Sequence, residues 1–238
     1  MNFYLQHHRF INVSSTFCLS IARVLFIMMM SLGMLSCSSI LPKAPIQPTL
    51  YFLDTLPAIT ADFAVPRIAT TNTTTSATVP TLTVTTPVAA AGYGGIHIIY
   101  QRQAHELEHF ALSQWIDTPV QMLTPLIVRT LERSGAFRAV VRGSSSAASE
   151  LRLDTEIIRL QQEFSVNPSQ VRLTIRAVMV DTATRRVIAA REFEASVVSP
   201  TEDTAGGVIA ANQAVQRVLA DLAKFAAEAA AMKSSVEK

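Results

Sequence analysis

Two runs of apolar alternation, Val171 to Val180 and Val187 to Val198, flank the polar segment Asp181-Thr182-Ala183-Thr184-Arg185-Arg186. Successive side chains on a strand face opposite ways, so each run is predicted to be a strand with one buried face, and the polar break makes them a hairpin. The same pattern selects a register. Val171, Leu173, Ile175, Ala177 and Met179 share the buried face with Ala189, Phe193, Ala195 and Val197 only if Arg176 stands opposite Glu192 and Thr174 opposite Glu194. The neighbouring register sets Arg176 against Arg191 and buries Glu192 and Glu194, at a cost in repulsion and desolvation.

The hairpin needs a partner for its apolar face. Upstream, Glu150 to Phe164 reads as a long strand whose apolar phase changes midway: Leu151, Leu153 and Ile157 share one parity, and Ile158, Leu160 and Phe164 the other. A β-bulge or bend near Ile157 reconciles them, because one extra residue flips the facing of everything after it. Shorter strands are expected at Tyr51 to Leu53, Leu82 to Val84, Ile96 to Tyr100 and Phe137 to Val141. Val120, Leu123, Ile127 and Leu131, with Leu126 beside them, recur at helical spacing, with Asp117 or Thr118 as cap, Pro119 at the first position and Gly135 at the end. A second, longer stripe runs Val208, Ala211, Val215, Val218, Leu219, Leu222, Phe225, Ala226, capped by Asp203 or Thr204. The expectation is an α+β fold, an antiparallel sheet with two main helices packed on one face.

Ahead of this domain stands a segment of different character. Arg9 and Arg23 precede the apolar run Val24 to Leu35, a pattern suited to an export signal, and Met34-Leu35-Ser36-Cys37 resembles the bacterial lipobox, whose Cys is acylated after cleavage before it. Residues 1–36 are read as signal peptide, 37–48 as a proline-rich lipidated tether, 49–231 as one domain with a Thr-rich loop at 60–81, and 232–238 as a tail. An uncleaved membrane anchor over Val24 to Pro42 is the competing reading, since a span needs about 20 apolar residues. Ser38 after the cysteine resembles lipoproteins sorted to the outer membrane.

Charge and cysteine usage narrow the chemistry. The chain has 20 Lys plus Arg against 18 Asp plus Glu, and without Arg9 and Arg23 the balance is 18 to 18. A neutral domain lacks the basic surface that nucleic acid requires. Of two cysteines, Cys18 lies in the signal and Cys37 at its end, which leaves the domain without a disulfide or thiolate metal site. One string looks catalytic: His105-Glu106-Leu107-Glu108-His109 fits the HExxH pattern, in which two His on one helix face bind zinc and the Glu acts as base. The string has no evident third ligand downstream, and its alternative is a solvated segment leading into Trp115. Tyr93, Tyr100, Phe110 and Trp115 gather near one connection, either as a lipid-binding or docking groove or as the seal of a core edge.

Five strings carry a family resemblance: Tyr51-Phe52-Leu53, GYGGIHIIYQR (92–102), HELEHFALSQWIDTPVQMLTPLIVRTLERSGAFRAVV (105–141), LRLDTEIIRLQQEF (151–164) and TRRVIAAREFEA (184–195). Their most specific part is Trp115 and Pro119 followed by a helix ending in Ser134-Gly135-x-Phe137. Together they resemble the auxiliary lipoprotein component of ABC-type transport systems, which includes the paraquat-inducible C-type lipoproteins. The resemblance implies a non-catalytic envelope lipoprotein, palmitoylated at Cys37 and held on the periplasmic face of the outer membrane rather than the inner. It implies work with an ABC permease and ATPase and an MCE-domain protein in moving lipid, without a cofactor and with self-association open. The alternatives are a zinc metallohydrolase through His105, Glu106 and His109, and an outer-membrane assembly factor.

Overall fold

The structure, a computed structural model, describes residues 20–28, 46–54 and 79–236. Cys37 and most of the Thr-rich segment, including residues 60–78, lie outside the described residues. The chain divides into two compact units, Met1–Ile46 and Gln47–Lys238. In the first, residues 20–28 form a helix, α1. No described helix is long and apolar enough to cross a membrane.

The second unit is an α+β domain. Among its described residues are the strands β1 (Thr49–Tyr51), β2 (Thr81–Val84), β3 (Val88–Ala89), β4 (His97–Gln101), β5 (Glu108–Trp115), β6 (Ala139–Arg142), β7 (Leu151–Glu163), β8 (Gln170–Asp181) and β9 (Val187–Val198). Two helices accompany them, α2 (Pro119–Ser134) and α3 (Thr204–Val236). Strand β7 is the spine. Along one edge it pairs antiparallel with β8, which pairs antiparallel with β9; along the other it pairs parallel with β2, β3 and β4 in turn. Strand β6 extends the sheet beyond β2, and β5 and β1 extend it beyond β4.

The long pairings are antiparallel, as expected. The sheet as a whole is mixed, because β1–β5, β2–β6 and the three short strands on β7 run parallel. A short strand gives little alternation from which to read its direction, and a parallel partner lies far away in sequence.

The hairpin adopts the register that keeps Glu192 and Glu194 out of the core: Arg176 opposes Glu192, Thr174 opposes Glu194 and Ile175 opposes Phe193. Strand β7 shifts register between Ile157 and Arg159, leaving Ile158 without an opposite residue. That bulge keeps Leu153, Ile157 and Leu160 all in the core.

Both helices pack on the apolar face. Leu123, Ile127 and Leu131 of α2 and Val215, Leu219 and Phe225 of α3 join Leu153, Ile175 and Met179 in one cluster. Helix α2 begins where Thr118 Oγ1 accepts from the Gln121 amide at 3.4 Å and stops at Gly135, whose φ of 69° is left-handed. Asp203 caps α3, its Oδ1 accepting from the Gly206 amide at 2.8 Å. Helix α3 runs on to Val236, into the segment read from sequence as a tail, and Lys233 there pairs with Asp181 at 2.9 Å.

Candidate functional site

The aromatic residues singled out by sequence divide among three places. Tyr100, Phe110 and Phe164 form a cluster, with centroids 4.6 Å apart for Tyr100–Phe110 and 5.7 Å for Tyr100–Phe164. Trp115 is buried in the core beside Ile98 and Leu160. Tyr93 stands apart from the cluster, its hydroxyl bonded to Gln161. Phe164 was missed as a cluster member; its signal is the even-numbered apolar phase that follows the bulge.

Tyr100 also carries a polar edge. Its hydroxyl donates to Glu108 at 2.8 Å, and the Arg102 guanidinium lies 5.0 Å over its ring. The bond to Glu108 and then burial hold the phenol above its ordinary pKa.

The string from His105 to His109 does not form the helix that the HExxH reading requires. His105 lies in a turn with φ of 67°, Glu106 is exposed, and His109 is in β5 opposite Ile99. An extended chain rises about 3.3 Å per residue, so it cannot gather positions i and i+4 around one ion as a helix does. His109 instead packs on His97, with ring centroids 4.5 Å apart, and Glu108 serves Tyr100 and Arg102. Among the described residues no cluster of three His, Cys, Asp or Glu is placed to hold a metal.

The sheet face turned away from the helices carries a connected polar network. Glu163 accepts from Arg172 Nε at 2.8 Å, from Gln170 at 3.0 Å and from Gln161 at 3.3 Å, while Arg172 reaches Glu194 at 2.7 Å. Burial alone would raise the Glu163 carboxyl, but the bonds from Arg172, Gln170 and Gln161 outweigh it and hold the pKa below the usual carboxylate value. Burial raises the Tyr93 phenol, with Arg159 opposing. Every partner in this network is already engaged, so the arrangement orders the sheet face and presents no free base.

Between the sheet and the start of α3 lies a crevice lined by Ile98, Trp115, Leu160, Gln162, Gly207 and Ala211. Its space of about 10 Å³ has room for one water and not for an acyl chain.

The family model for the ABC-type transport auxiliary lipoprotein component matches residues 63–223, which takes in every element from β2 to most of α3. The chain belongs to this auxiliary lipoprotein family. A crystal structure of a protein from Xanthomonas campestris resembles it with a TM-score of 0.65 and 22% identity, covering 79% of this chain and 99% of that one. The crystal structure of an uncharacterized protein follows at a TM-score of 0.56 and 13% identity, covering 75% and 98%. At these identities the likeness is one of fold. No curated protein sequence matches the chain at a significant level. Within the matched region Trp115 plugs the core at the end of β5 and Pro119 opens α2.

Proposed function

We propose that this protein is a non-catalytic lipoprotein, acylated at Cys37, that serves an ABC-type transporter and an MCE-domain protein in moving lipid between the inner and outer membranes. The observation that carries this reading is the family match over residues 63–223, joined to an N-terminus that reads as an export signal ending in a lipobox cysteine. The auxiliary role belongs to the family; MCE partnership and a seat on the periplasmic face of the outer membrane are the finer parts of the proposal. A well-packed domain that arranges no nucleophile with a base among its described residues suits a docking part better than a reaction centre. Of Tyr93, Tyr100, Phe110 and Trp115, the half-buried Tyr93 and Phe110 enter this reading as contacts for a docked partner, with the buried Tyr100 and Trp115 holding β4 and β5 beneath them.

The test is affinity purification of the tagged lipoprotein from crosslinked envelopes. Recovery of a permease, an ATPase and an MCE-domain protein is expected, and recovery of β-barrel assembly components in their place overturns the transport role. Anchoring is tested separately. Replacing Cys37 by Ala should release a folded domain into the soluble fraction, since the acyl chains, and no basic patch, supply attachment. A Cys37→Ala protein that stays in the membrane with its signal uncleaved makes the segment an anchor.

A further inference from the structure

The outer edge of the sheet combines four exposed apolar side chains with the point at which the domain meets its tether. Among the described residues strand β1 pairs with β5 alone, Thr49 opposite Ser113 and Tyr51 opposite Trp115. Tyr51, Leu53 and Trp115 turn inward to the core. Leu50 stands opposite Gln114, with Leu112 and Ile116 two residues to either side, and the Ile116 amide donates to the Tyr51 carbonyl at 2.7 Å, extending the ladder. Leu50, Phe52, Leu112 and Ile116 are 51%, 55%, 55% and 60% exposed. On β8 and β9 the outward face carries Arg172, Arg176, Glu192 and Glu194, and the exposed apolar residues of other strands, Val88 on β3 and Val187 and Val198 on β9, are scattered singly. Four apolar side chains grouped at one edge, where others are scattered singly, mark a contact surface.

We infer that Leu50, Phe52, Leu112 and Ile116 rest on the bilayer that holds the acyl chains of Cys37. This rests on the acylation proposed above. The tether chooses the occupant. Eleven residues, Ser38 to Pro48, separate Cys37 from Thr49 and span at most about 40 Å when fully extended, so the domain cannot leave the neighbourhood of the membrane. The first strand after the tether is the one that carries Leu50, so the part of the domain nearest the lipid is also its apolar edge. Tethering turns contact with the bilayer into an intramolecular event, in which four side chains that would bind weakly alone suffice.

The mature protein lends itself to a direct test, because its one cysteine becomes a thioether on acylation and an added cysteine is then the single reactive thiol. The acylated Leu112→Cys variant, carrying an environment-sensitive fluorophore, is placed in phosphatidylethanolamine and phosphatidylglycerol vesicles at fewer than one protein per vesicle. Asp221→Cys, on the exposed side of α3, is the control. The label at 112 should shift to shorter wavelength and be quenched by aqueous iodide several-fold less than the label at 221. Equal quenching of the two on protein that floats with the vesicles overturns the docking and leaves acylation standing. Failure to float overturns acylation and the docking with it. Shielding that grows only as protein density rises assigns the edge to a second copy and overturns the membrane contact.

Discussion

Asp181 closes the β8–β9 turn and meets the last turns of α3. Its carboxylate accepts from the Thr184 amide at 2.9 Å and pairs with Lys233 at 2.9 Å, and Lys233 also donates to the Glu150 carbonyl at 3.2 Å. The Thr184 amide first and Lys233 second lower its pKa from 3.8 to about 2. A carboxyl lowered by folding stabilises the protein above its unfolded pKa, and that stability is lost as pH falls through the folded value. Asp181→Asn should therefore cost about 1–2 kcal/mol at neutral pH, and its unfolding curve should converge on that of the parent near pH 2. A difference that persists unchanged into acid would remove this account. Gly207 makes a second point at this scale. A Cβ there would collide with the side-chain oxygen of Gln162, which is buried without a hydrogen-bond partner. Gly207→Ala is expected to lower stability by about 1–3 kcal/mol, with much of the loss recovered in a Gly207→Ala, Gln162→Ala double variant measured by denaturant unfolding.

Among the elements, β7 shows what one unpaired residue does. Ile158 absorbs the phase change, so deleting it would turn Leu160 and Gln162 out of the core and Gln161 and Glu163 into it. Loss of more than about 3 kcal/mol, or failure to fold, is expected from thermal unfolding of that deletion. The change in apolar parity at Ile157 and Ile158 made this bulge legible in the sequence, just as the Arg176–Glu192 opposition made the hairpin register legible. Helix α2 was readable end to end because Thr118, Pro119 and Gly135 are local signals. The parallel attachment of β2, β3 and β4 to one strand was not readable, since it depends on partners many residues away and on strands too short to show a period. His105 to His109 misled for the complementary reason: the spacing is helical, yet the chain turns at His105 so that β5 can return beside β4. At the candidate site, residue type alone singled out Tyr93, Tyr100, Phe110 and Trp115 without their separation into three places, and the edge formed by Leu50 and Leu112 needed the β1–β5 register to bring its halves together.

Over the whole molecule the balance of 18 basic and 18 acidic residues after Ser36 means that the domain brings no net charge to a membrane. Flotation of the acylated protein with anionic vesicles should accordingly be the same at low and high salt; release by salt would point to a basic contact that the charge count does not provide. The position of β7 as spine also governs the order in which this protein can fold. When a chain emerges N-terminus first, β2 can join β6 and β4 can join β5, but the edges of β2, β3 and β4 that pair with β7 stay open until residues 151–163 appear. Loop closure must bring them back across as many as about seventy residues before any of these parallel ladders forms, which makes assembly slow and leaves Leu82, Val84 and Ile98 open to misassociation meanwhile. The arrival of β7 closes these open edges, and the apolar face that β7 shares with β8 and β9 is covered only when α3, the last of the described elements, packs on it.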